Sequence, residues 1–220
     1  MSKNMNHSLK KSHSLIRLET FADAVVAVAI TIMVLDLKPP EITLSIQQNV
    51  FDFSFLNPYW PKLFAFIISF LLISSRWIGM LTYFRPVTRA SSALIWLTLA
   101  NLFTICLIPW GTAFLAENPT LPQAVSLYGF LGMLFMITTA VVERKIEIDY
   151  PGLQDWNFRI TLVMAGILAT SIPLAFGTVY LSFTIFVIVI LSYFIPLQFR
   201  LRLFRSLLKH RADHTSNDAA

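Results

Sequence analysis

The sequence predicts an all-α membrane protein built from six transmembrane helices. Three observations carry that expectation. The 220-residue chain is 56% hydrophobic and only 13% charged, with a mean hydropathy of +0.67; soluble domains run near half apolar and about a quarter charged. Apolar runs long enough to cross a bilayer, about 20 residues each, recur along the chain. Proline, glycine or clusters of charge separate them.

The first run covers roughly residues 18–37. It follows a basic segment, MSKNMNHSLKKSHSLIR, that has the charge of a signal peptide. The apolar stretch continues to Leu35 without a small-residue cleavage site, so the segment is expected to remain as the first helix. Pro39 and Pro40 end it. The second run, roughly 61–84, stops at RPVTRA with Pro86. The third, 92–116, stops at AENPTLP with Pro119 and Pro122. The fourth, 122–143, meets the charged stretch ERKIEIDYPGLQD. The fifth and sixth, 158–176 and 178–199, flank a tight turn at Gly177. Proline and glycine end helices for backbone reasons. The 19 Phe and 5 Trp suit lipid-facing surfaces and interfacial belts. No segment repeats another, so one membrane domain is expected over 17–205. Residues 1–16 form a short cytoplasmic lead, and 206–220 a polar, flexible cytoplasmic tail.

Orientation follows from the basic residues. The lead, the second-to-third connection, the fourth-to-fifth connection and the tail hold 15 of the 17 Lys and Arg when Arg76 of the second run and Arg159 of the fifth are counted with the connections they adjoin; only Lys38 and Lys62 fall on the other side. An even number of spans with both termini cytoplasmic satisfies the positive-inside rule. The net charge of +5 is accounted for by this asymmetry and does not point to nucleic acid.

Several chemistries are excluded. The single cysteine, Cys106, forms no disulfide within the chain and no thiolate cluster. His7, His13, His210 and His214 all lie in the terminal segments, away from any intramembrane site. No zincin, Walker or dinucleotide fingerprint is present, and no nucleophile pair sits within a span. The chain is therefore not expected to be an enzyme or to need a cofactor. Glu117 and Glu143 are expected at helix ends, leaving the third to sixth helices without a central carboxylate. Proton-coupled transport usually needs one.

The first helix is distinctive. Residues 17–40 read RLETFADAVVAVAITIMVLDLKPP. At about 100° per residue, Ala24, Val28, Thr31, Ile32 and Leu35 share one stripe, and the small residues Ala27 and Ala29 allow close helix approach. Helix packing alone would account for such a stripe. Asp23 has two readings that the residues leave open, a capping or tethering role favoured by the helix dipole and a direct role with ions.

Arg17–Phe21–Ala22–Asp23, continued through Asp36, Leu37 and Pro39, resembles the RxxxFSD signature that opens the first helix of the transmembrane protein 175 family. The resemblance implies a potassium-permeable channel of the plasma membrane. It also implies a homotetramer whose first helices line a central pore, with K⁺ as permeant ion and no other metal. Aligned from Asp23, the family's constriction rings fall on Val28, Thr31, Ile32 and Leu35, and its motif network on Arg17, Phe21, Asp23 and Trp77. Two departures stand out. Ala22 replaces the motif's Ser, and Leu81 stands where a second-helix His would follow Trp77. Arg76 is expected to substitute as a polar partner of Asp23. Rings of aliphatic side chains gate by dewetting, and Thr31 is the one member with an oxygen to offer. The alternatives are a secondary transporter of a small solute and a membrane scaffold without transport activity.

Overall fold

The computed structural model describes residues 11–37, 57, 59–151 and 157–194. Among the described residues six helices follow one another: α1 (His13–Leu35), α2 (Trp60–Tyr83), α3 (Ser92–Glu117), α4 (Pro122–Asp149), α5 (Asn157–Leu174) and α6 (Val179–Phe194). Four of them, α1 to α4, are long and apolar enough to cross a membrane; α5 and α6 are shorter apolar helices. The prolines at 39 and 40, the sides assigned to Lys38 and to the tail's basic residues, and the tail itself lie outside the described residues.

Local chemistry sets the ends. Ser12 caps α1 by accepting from the Leu15 amide at 3.4 Å, and Ser91 caps α3 by accepting from Leu94 at 3.2 Å. Such caps satisfy amides the helix itself leaves open. Pro61 and Pro122 occupy the first turns of α2 and α4, where a missing N–H costs nothing. The tight turn at Gly177 is present: Gly177 and Thr178 both donate to Leu174 O, at 3.0 and 2.9 Å.

The fourth helix differs from expectation. It runs to Asp149 instead of stopping at the charged stretch after residue 143. Arg144 pairs with Glu147 at 2.8 Å and Lys145 with Asp149 at 2.6 Å. These i,i+3 and i,i+4 pairs support helix where a break was read. Glu143 consequently sits inside α4 and is buried, not at a helix end. At 28 residues α4 is about 42 Å long, more than the roughly 30 Å hydrocarbon layer.

Helix α4 is the centre of the bundle, packing mainly on α5 and α3; α1 rests on α3 and more lightly on α2. A continuous core includes Met33, Ile73, Ile105, Phe135 and Phe186. Gly111 and Gly129 mark close approaches, since an added Cβ would lie 2.4 Å from Leu131 Cδ1 and 2.5 Å from Ser171 Oγ. One end of the bundle is tied across the chain. Ser12 N donates to Thr88 O at 2.8 Å, and the Tyr150 hydroxyl accepts from the amides of Thr88 and Arg89 while donating to Arg89 O at 3.0 Å.

Candidate functional site on the first helix

One side of α1 is packed. Leu15, Leu18, Ala22, Val26, Ala29 and Met33 are buried against the bundle, following the three-and-four spacing of a helix face. The stripe of Ala24, Val28, Thr31, Ile32 and Leu35 is centred about 140° round the helix from them. Val28 is 54%, Ile32 46% and Leu35 76% exposed. Within one subunit, therefore, the stripe is only partly covered. It borders a cleft of about 550 Å³ between α1 and α3, where Val28, Ile32 and Asp36 face Cys106, Pro109 and Trp110.

Thr31 is the polar member of that face. Its hydroxyl donates to the carbonyls of Ala27 and Val28, each at 3.0 Å. With the proton engaged on the helix's own backbone, the exposed oxygen offers lone pairs outward. That arrangement suits a cation or a water molecule.

At the basic end of α1, the Trp77 indole N–H donates to Asp23 Oδ1 at 3.0 Å. Asp23 is thus tethered to α2. Arg17 and Phe21 are exposed on the same arc of α1 as the stripe, and among the described residues no hydrogen bond or ion pair joins them to Asp23 or Trp77. Lys11 instead pairs with Glu19 at 2.5 Å. Ala22 is fully buried in the packed face, and Leu81 is exposed on α2.

Two of the guanidinium nitrogens of Arg76 bond partners other than Asp23. The Arg76 side chain turns to the other flank of α2, where Nε donates to Asn101 Oδ1 at 2.9 Å and Nη1 donates to the Tyr83 hydroxyl. Asn101 in turn donates to Thr138 and Thr139 on α4, at 2.9 and 3.0 Å. Sequence reasoning gave Asn101 no role. Its signal was an amide in mid-helix, which has to find partners inside a bilayer. A second buried hydroxyl chain, Thr112 to Ser69 at 2.7 Å and Ser69 with Tyr128 at 2.8 Å, joins α3, α2 and α4. No metal-binding group of His, Cys, Asp and Glu occurs among the described residues.

Fold and site together define a multi-pass helical membrane protein that leaves one face of its first helix only partly covered. The family described as "Endosomal/lysosomal potassium channel TMEM175" matches residues 17–109. A potassium channel of Streptomyces collinus is 28% identical over 179 residues, spanning 76% of this chain and 82% of the relative. A potassium channel of a Chryseobacterium species is 33% identical over 135 residues, spanning 59% and 64%. The crystal structure of a lysosomal potassium-selective channel TMEM175 homolog from Chamaesiphon minutus superposes with a TM-score of 0.72 and 26% identity, covering 83% of this chain and 97% of that one. Across its first three helices, and in overall fold, the chain is similar to the TMEM175 potassium channels.

Proposed function

We propose that the chain is a potassium-permeable channel of the cell membrane, assembled from four copies whose α1 helices surround a central path. The observation that carries this reading is the stripe itself: aliphatic, only partly covered in the subunit, interrupted by one outward-facing hydroxyl oxygen. Four copies meeting at the stripe bury it and set rings of Val28, Thr31, Ile32 and Leu35 along the path. The aliphatic rings form a constriction that conducts when it widens enough to hydrate. The Thr31 ring supplies the one set of side-chain oxygens. Potassium as the permeant ion is supported by the names of the bacterial relatives and of the solved homolog. Conduction is passive and calls for no energy source.

The same reading places six helices across the membrane and both termini in the cytoplasm. Its support is the basic end of the bundle. Lys11, Arg85, Arg89, Arg144 and Lys145 all belong to the end where Ser12, Thr88 and Tyr150 are tied together, and Lys62 opens α2 at the opposite end. The motif network reduces here to Asp23 and Trp77, with Arg17 and Phe21 at the mouth of the path.

Secondary transport is the second reading, favoured by the buried Glu143 in α4. Purified protein in liposomes separates the two. A channel gives unitary current steps and a passive K⁺ flux that collapses an imposed gradient, with a particle mass of four subunits. Saturable exchange coupled to a second solute, or a monomeric particle that still conducts, overturns the proposal.

A further inference from the structure

Arg76 is a cation that the path above does not use. It lies on α2, 3% exposed, among the apolar residues of the bundle. Charge in such a place is costly and marks a role. Its Nε bond to Asn101 and its Nη1 bond to Tyr83 both lie on one flank of α2, with the guanidinium Cζ 4.8 Å above the Tyr83 ring centroid. Tyr83 reaches back two turns to make this contact. Gly79 leaves room for it, since a Cβ there would lie 2.5 Å from the Tyr83 hydroxyl. Through Asn101 the arrangement continues to Thr138 and Thr139 of α4.

The next residue, Trp77, points about 100° further round α2 and donates to Asp23 on α1. Two consecutive residues therefore fasten α2 on two sides, one to the α3–α4 scaffold and one to α1. Few other contacts join α1 to α2, so the indole–carboxylate bond has little redundancy. A side-chain tip stands about 6 Å from the helix axis, so a turn of α2 by roughly 20° carries it about 2 Å. That displacement exceeds the tolerance of a hydrogen bond.

We infer that Arg76 is a positioning residue. By holding Asn101 it fixes the rotation of α2 about its axis, and with it the aim of Trp77 at Asp23 on the first helix. Its consequence for ion flow rests on the proposed role of α1, while the positioning itself does not.

The test uses the full chain labelled with 5-fluorotryptophan in lipid nanodiscs, the Trp77 ¹⁹F line being assigned with Trp77→Phe. Asp23→Asn gives the position of that line when the bond is lost. Asn101→Ala and Gly79→Ala are expected to move the Trp77 line to that position and leave the other tryptophan lines in place. Asn101→Asp keeps an acceptor for Arg76 and is expected to restore the wild-type line. Gly79→Ala is a helix-favouring change, so it decides the matter if Asn101→Ala does not fold. An unmoved Trp77 line in folded Gly79→Ala or Asn101→Ala overturns the inference. In planar bilayers the same variants are expected to change open probability at unaltered unitary conductance, and Asn101→Ala is expected to add nothing to Trp77→Phe. A Trp77 line that moves while open probability does not supports the positioning role and overturns α1 as the conducting element.

Discussion

Ile32 and Met33 are neighbours in sequence with opposite surroundings, and they give the sharpest test of which face of α1 conducts. Met33 is 1% exposed and packed in the core, whereas Ile32 is 46% exposed. Truncating a fully buried methionine to alanine costs about 2–5 kcal/mol, with the cavity left behind as a main part of the loss. In lipid the transfer part shrinks, because lipid tails are as apolar as the core, and a cost of about 2 kcal/mol is expected for Met33→Ala. Ile32 has half its side chain free of subunit contacts, so Ile32→Asn is expected to cost the subunit about 1 kcal/mol or less. The flux expectations run the other way. Ile32→Asn hydrates the constriction and raises K⁺ flux into liposomes or makes it leaky, while Met33→Ala lowers the thermal midpoint and leaves flux per folded channel near wild type. Both are read on the same preparations, thermal unfolding in detergent followed by reconstitution. A Met33→Ala protein of unchanged stability and raised flux, beside an Ile32→Asn protein of unchanged flux, would show that the packed face has been misassigned.

Other outcomes follow from single contacts. Thr31→Val removes the exposed oxygen and keeps the shape, so K⁺ over Na⁺ preference from reversal potentials should fall, and Thr31→Ser should retain it. Gly111→Ala places a methyl 2.4 Å from Leu131 Cδ1; overpacking of this kind costs about 1–3 kcal/mol, so the thermal midpoint should drop, and a rise would contradict the close α3–α4 approach. Tyr150→Phe leaves the amides of Thr88 and Arg89 without their common acceptor, and hydrogen exchange at those two amides should accelerate.

The six helices were legible because their length and their flanking prolines are written in the chain. Pro61, Pro86 and Pro122 stand where backbone rules put them. The far end of α4 was not legible: Arg144, Lys145, Glu147 and Asp149 look like a loop by charge, yet their spacing pairs them along a helix. The stripe on α1 was readable from period alone. The bond between Asp23 and Trp77 came from the resemblance, since nothing in the spacing joins residues 54 positions apart. Arg76 was assigned to Asp23 because it adjoins Trp77 in sequence. One residue is about 100° of helix, enough to send the two side chains to different neighbours, and only the packing of α3 against α2 decides which.

The clasp at the basic end of the bundle determines how α1 can move. Ser12 is held to Thr88, whose loop is in turn gripped by the Tyr150 hydroxyl. The start of the helix is a fulcrum, and the 23 residues of α1 make a lever of about 35 Å. A tilt of roughly 5° about that fulcrum leaves Arg17 almost stationary and swings Leu35 by about 3 Å, a distance comparable to a water molecule's diameter. Small rocking of a single rod is thus magnified along its length, and in the proposed assembly such a tilt moves Leu35 most and the residues of the motif least.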